Sequence, residues 1–381
     1  MHRDASEKSI PFLQTRLPRV EEYLPYLKQI DQNNWYSNFG PLVKKFEQEC
    51  LTNYFSSRGD ACTVANCTLG LIIALQASAR PSGRYVLMPS FTFAATALAA
   101  KWAGFQPYFI DIDPQKWTLD TRQIEAAIST LGDDVAAVMP YATFGTTLDL
   151  SYYQELEERG IPVIVDAAPG LGSVNPDATT FGTGFDGSIV FSLHATKPFG
   201  IGEGGLVYSA NAEAIERIRR LSNFGFSSPG VLEMAGINAK LSEFSAAVGL
   251  AVIKNYQQKL SRLDSLFDAY VQSISGHEGL RSVLSIQSRR GDVPHQLMPV
   301  LLPVGIDTAD LKEKLLQSGI QTRRYFKTPC HQQQTLDDSP RGSLDVTDEI
   351  AQRIICLPLW DGMEATLPQF IMDELASALE S

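Results

Sequence analysis

Residues 187–208 read GSIVFSLHATKPFGIGEGGLVY: two short apolar runs, Gly187 to Ser192 and Gly205 to Tyr208, flank a loop that holds one lysine, Lys197. Runs of this length, rich in Ile, Val, Phe and Tyr, read as buried strands. Four glycines within six residues (Gly200, Gly202, Gly204, Gly205) indicate backbone bent close against something. An isolated loop lysine is nearly always a solvated surface charge. Between two buried strands its amine is partly desolvated and therefore unprotonated near neutral pH, the state in which lysine is a nucleophile.

Upstream, more short apolar runs alternate with helical patterns. The strands fall at Cys62 to Ala65, Tyr85 to Met88, Gln106 to Ile110, Val135 to Pro140 and Pro162 to Val165. The helices fall at Leu69 to Ala79, Phe93 to Ala103, Thr121 to Leu131, Ser151 to Arg159 and Ala212 to Leu221. This alternation predicts an α/β fold, a mainly parallel seven-stranded sheet sandwiched by helices, with ligands bound where strands end and helices begin. A long amphipathic stretch, Ser242 to Ser275, leads to a smaller C-terminal α+β domain with Met298 to Leu302, Thr308 to Ser318 and Ile354 to Leu357 as its elements. The expected division is a large domain over residues 1–250 and a small one over 251–381.

The chain has 381 residues, 44% of them hydrophobic and 20% charged, enough for a large packed core. Its net charge of −11 gives a field that repels nucleic acid and anionic membrane, so neither is expected as a partner, and an anionic ligand needs a local pocket. Five cysteines without a close CxxC pair read as reduced thiols, and no metal site is expected. With neither an apolar leader after Met1 nor a long uncharged apolar run, a cytoplasmic protein is expected.

Four features converge on one cofactor if the sheet assembles in this way. Asp166 directly follows the run Ile161 to Val165, so its carboxylate emerges at a strand end. Alone, such an aspartate is more often a cap or turn residue. Pyridoxal chemistry needs an anion there to keep the pyridine nitrogen protonated. Lys197 is the second feature. The third is a phosphate cup, in which Asn66-Cys67-Thr68 opens a helix and offers free amides at its positive end, with Ser192 at the neighbouring strand end. Thr68 would serve equally as a plain helix cap. The fourth is Pro89-Ser90-Phe91-Thr92-Phe93, where an aromatic ring at a strand-to-helix junction can stack on the pyridine face, although such rings are more often core.

With these residues in view, the chain resembles the sugar aminotransferases of the DegT/DnrJ/EryC1/StrS type, a branch of the fold-type I pyridoxal-phosphate enzymes. The resemblance is carried by Ser37-Asn38-Phe39-Gly40-Pro41, Asp111-Ile112-Asp113, Phe191 to Lys197 with Gly202-Glu203-Gly204-Gly205, Gly236 to Glu243, and Leu357-Pro358-Leu359. It implies pyridoxal 5'-phosphate as cofactor, Lys197 as the lysine that holds it and moves protons, Asp166 as the pyridinium partner and Phe93 as the stacking ring. Thr68, Cys67 and Ser192 would lie at the phosphate, joined by Asn238 of a neighbouring subunit, so the active unit would be a homodimer with shared sites. The implied substrates are a nucleotide-linked keto sugar and glutamate.

The chain departs from the family pattern at three positions. Pro169 stands where the family usually has Gln or His to contact the cofactor's phenolic oxygen, Cys67 where glycine is common, and Lys240 where arginine is common. Proline has neither a side-chain donor nor a backbone N–H, so that contact is absent or replaced. Related dehydratases carry His at the position of Lys197, which argues against dehydration here. A regulatory relative without catalysis is the other alternative.

Overall fold

Successive side chains of a strand point to opposite faces, so each strand of a covered sheet supplies two cores. The computed structural model describes residues 9–380. Its first seven strands are β1 (Asp60–Val64), β2 (Tyr85–Pro89), β3 (Gln106–Ile110), β4 (Val135–Val138), β5 (Ile164–Asp166), β6 (Ser188–Ser192) and β7 (Gly205–Ser209). Ile189, Phe191, Leu206 and Tyr208 join one buried cluster, while Val190 and Val207 join the other.

The helices of this part are α1 (Val20–Asn33), α2 (Pro41–Tyr54), α3 (Cys67–Ser78), α4 (Ala94–Trp102), α5 (Thr121–Leu131), α6 (Leu150–Glu158) and α7 (Ala212–Leu221). Helices α3, α4 and α7 cover one face through Leu71, Ala97 and Ile215. Helices α2, α5 and α6 cover the other through Phe46, Ile124 and Leu156. Each fully buried Phe or Leu contributes about 1.5–3 kcal/mol relative to exposure.

Strands β1, β7, β6 and β5 form one ladder and β3, β2 and β4 another. Parallel bridges from Val138 to Val163 and from Tyr141 to Asp166 join β4 to β5. β2 runs parallel to β3 and β4, and β5 to β6, but β7 runs antiparallel to both β6 and β1, so the α/β sheet is mixed. The loop from β6 to β7 contains no helix, and without a crossover the chain can only return antiparallel. Strand β5 begins at Ile164, two residues after Pro162, which has no N–H for a ladder and only accepts, through its carbonyl, from Val138 N. It also includes Asp166.

A hairpin, β8 (Phe226–Ser228) and β9 (Val231–Leu232), precedes the long helix α8 (Glu243–Gly276). Then come α9 (Glu278–Val283), β10 (Met298–Leu301), α10 (Thr308–Gln317), α11 (Asp345–Arg353), β11 (Ile354–Leu357) and α12 (Leu367–Glu380). β10 and β11 pair antiparallel under α10 and α12 in a separate core, to which α8 gives Leu263, Phe267 and Tyr270. Earlier turns of α8 give Ala246, Ala247 and Leu250 to the core of the large sheet. Residues 250 and 251, where the sequence reading divides the chain, are thus neighbours inside one unbroken helix.

Two carboxylates join distant elements. Glu243 accepts from the amides of Leu42 and Val43, both at 2.8 Å, so the first residue of α8 closes the N-terminus of α2. Asp111 does the same for α11, accepting from the amides of Val346 and Thr347 and from the Thr347 hydroxyl. No helix among the described residues is long and apolar enough to cross a membrane.

Candidate active site

Asp166 is the last residue of β5, and its carboxylate is buried. Thr96, on the first turn of α4, donates its hydroxyl to Oδ2 at 2.7 Å, and the amide of Ala168 donates to Oδ1 at 3.1 Å. The Thr92 hydroxyl lies 2.7 Å from that of Thr96 and extends the chain. Both donors to Asp166 are neutral. Burial therefore pushes its carboxyl above the usual carboxylate range, against the pull of Thr96, Ala168 and Lys197.

Lys197 sits in a narrow turn, where its amide bonds to His194 O while Ala195 N reaches Gly202 O and Leu193 N reaches Gly204 O. The Lys197 Nζ lies 3.5 Å from Gln296 Oε1. Burial lowers its pKa from the usual lysine value, while the charges of Cys67 and Asp166 pull it back up. The Cys67 thiol is pushed well up, chiefly by burial and next by Asp166, and stays protonated. Lys197 and Asp166 thus feel each other's charge beside the Cys67 thiol, and three distant segments meet at one point.

Asn66 caps α3 by accepting from Leu69 N at 2.9 Å, leaving the Cys67 and Thr68 amides, in the helix's first turn, with no carbonyl one turn back. Gly205 is what admits this helix end. A Cβ there would sit 2.9 Å from Cys67 N, so a larger residue at the start of β7 would push α3 away. Ser192 ends β6, and its hydroxyl accepts from His194 N at 3.3 Å. Phe93 caps the start of α4 and is 61% exposed, so a ring face is free, and the helix read from Phe93 begins at Ala94. Asn238 is exposed, and the carbonyl of the next residue, Ala239, accepts from Ala65 N, one residue before the Asn66 cap. Pro169 is buried in the turn closed by the bond from Gly170 N to Ala167 O.

Two contributors escaped the sequence reading. Thr96 is one helical turn past Thr92, a spacing that signals a shared face but no ligand. Gln296 stands 99 residues from Lys197, with no local pattern to mark it.

A buried carboxylate without a salt-bridge partner among the described residues fits a protonated ring nitrogen. The free ring of Phe93 fits the face of such a ring, and the open end of α3 fits a phosphate. The residues present therefore fit pyridoxal phosphate.

The site and the helix-covered mixed sheet define a pyridoxal-phosphate-dependent aminotransferase. Residues 19–376 match the DegT/DnrJ/EryC1/StrS aminotransferase family, and the chain belongs to it. It is similar to a Bacillus cereus ATCC 10987 protein assigned as a PLP-dependent aminotransferase, with 43% identity, a TM-score of 0.94, and coverage of 97% of this chain and 100% of that one. DesI, solved in the presence of its TDP-sugar product, shares 30% identity at a TM-score of 0.85 over 97% of this chain and 92% of that one. Protein Rv3402c of Mycobacterium tuberculosis H37Rv is 33% identical over 366 residues, 93% of this chain and 86% of that protein.

Proposed function

We propose that this enzyme transfers the amino group of glutamate to a keto-deoxysugar carried on a nucleoside diphosphate. The observation that carries the reading is the meeting of a desolvated Lys197 amine, in the loop after β6, with the buried Asp166 carboxylate, which has no salt-bridge partner among the described residues, at the end of the adjacent strand β5. The sugar-nucleotide substrate rests on membership of the family and on the TDP-sugar product of DesI.

Bound pyridoxal phosphate supplies a carbonyl that exchanges for an amine and a ring that accepts electrons from the substrate carbon. Lys197 holds the cofactor and, once released, carries a proton to and from the substrate carbon at its Nζ. Asp166, fixed by Thr96 and Ala168, keeps the ring nitrogen protonated. Phe93 covers one ring face. Thr68, the Cys67 amide and Ser192 take the phosphate. We divide the chain into a large cofactor-binding domain and a small domain completed by β10 and β11, and read it as a cytoplasmic enzyme.

The reaction is tested by incubating the holoenzyme with glutamate and a panel of 4-keto and 3-keto-6-deoxy sugar nucleotides, then analysing products by mass and NMR. An aminated sugar with stoichiometric 2-oxoglutarate is expected. No amination with any member overturns the substrate assignment.

We read the active unit as a homodimer with shared sites. Support comes from the exposed apolar side chains on the segments bridged at Asn223 and Asn238, namely Phe224, Phe226 and Ile237. If Asn238 reaches the partner's phosphate, Lys197→Ala and Asn238→Ala subunits, each severely impaired alone, recover part of the activity when co-expressed. Mixed dimers no more active than their parents rule out sharing.

Pro169 offers no donor to the cofactor's phenolic oxygen, and a hydrogen bond to a charged group contributes about 1.5–3 kcal/mol. The visible spectrum of the bound cofactor is therefore expected to titrate at higher pH in Pro169→Gln than in wild type. Equal midpoints at full occupancy mean that Pro169 only shapes the turn.

A further inference from the structure

Beside Lys197 lies a crevice whose walls include Arg16, Lys197, Lys259, Gln296, Trp360 and Asp361. Three observations single it out. First, cations outnumber anions there, although the chain as a whole carries a net charge of −11. The one carboxylate, Asp361, is already taken by Arg262, whose Nε and Nη2 meet its two oxygens at 2.7 and 3.1 Å. Lys259, half-buried on α8, has no ion-pair or hydrogen-bond partner among the described residues. Burial lowers its pKa against the pull of Asp361, so a further anion beside it would help to restore its charge.

Second, Trp360 is 6% exposed, and its indole N–H has no hydrogen-bond partner among the described residues. A buried donor left unmet is costly, and such groups commonly await a ligand or water. Third, Arg16 lies beside the backbone of Gly362, where a Cβ would collide with its guanidinium, which adds a third cation to the crevice wall.

The crevice has a cavity volume of about 30 Å³, room for one small group such as a carboxylate. We propose that Lys259, Trp360 and Arg16 form the subsite for the side-chain carboxylate of a dicarboxylic amino donor. This rests on the glutamate reading above. The subsite selects for a second carboxylate by offering an ammonium and an indole N–H to a group that neutral amino acids lack.

The test is calorimetric titration of the holoenzyme with glutarate, which has both carboxylates but no amine to react, and with inorganic pyrophosphate. Lys259→Met is expected to weaken glutarate binding about tenfold or more, as loss of a charge-assisted bond does, and to leave pyrophosphate binding unchanged. Lys259→Arg, which keeps the charge, should retain binding, and Trp360→Phe, which removes the N–H donor together with part of the buried ring system, should weaken it. Glutarate binding unchanged in both Lys259→Met and Trp360→Phe overturns the subsite and leaves the aminotransfer reading standing. Loss of pyrophosphate binding in place of glutarate assigns the crevice to the nucleotide and also overturns it. Glutarate behaving as expected, while glutamate leaves the spectrum of wild-type holoenzyme unchanged, overturns the glutamate reading alone.

Discussion

Lys197→Ala is expected to lower turnover to below about a hundredth of wild type, since a positioned acid–base group contributes about 10²–10⁴-fold and no other amine shares this turn. The nearest polar side chain, Gln296, cannot form a covalent bond to the cofactor or exchange a proton near neutral pH. The fold is expected to survive, because the turn is closed by backbone bonds from Leu193, Ala195 and Lys197 that alanine keeps. The variant loses the visible band of covalently held cofactor while retaining cofactor at the phosphate subsite. Amination above a few per cent of wild type without added amine removes Lys197 from the chemistry.

Asp166→Asn carries the second large effect, a fall in kcat of about a hundredfold or more, the size typical of losing one preorganised charge contact. The local bonds can adjust. The asparagine oxygen keeps the Ala168 amide, and Thr96 can reverse its role, accepting from the new amide and donating to Thr92. The cofactor-free protein supplies a readout independent of catalysis. The Asp166 pKa is raised above its unfolded value of about 3.9, so its contribution to stability is present below that pH and is lost as pH rises through the folded pKa. Asp166→Asn should therefore raise the Tm of cofactor-free protein more near pH 7 than near pH 4. A normal kcat at full occupancy, or a Tm difference independent of pH, contradicts the assignment.

The parts of the molecule that could be read from sequence are those whose cause is local. Helix α5 begins after Asp120 and α7 after Asn211, and each cap accepts from amides of the first turn, so both lie where their patterns predict. Strand β3 likewise spans Gln106–Ile110. Asp166 stands out in the sequence because it directly follows an apolar run, and Lys197 because it lies in a glycine-rich loop between two such runs. What could not be read depends on distant partners. Nothing near Gln296 indicates Lys197, and nothing near Pro41 indicates that its helix will be capped by Glu243. The orientation of β7 was hidden for a related reason, since a loop rich in glycine does not announce which way it returns.

The Glu243 cap also bears on the order in which the chain is made. Leu42 and Val43 leave the ribosome 201 and 200 residues before the carboxylate that satisfies them. At about 5–20 residues per second, the start of α2 spends about 10–40 s without its cap. Over the same interval Phe46 lacks α8, the helix against which it finally packs. The start of α2 is thus made long before the helix that caps it and covers Phe46, and during that wait its apolar stripe is open to chaperones and to neighbouring nascent chains.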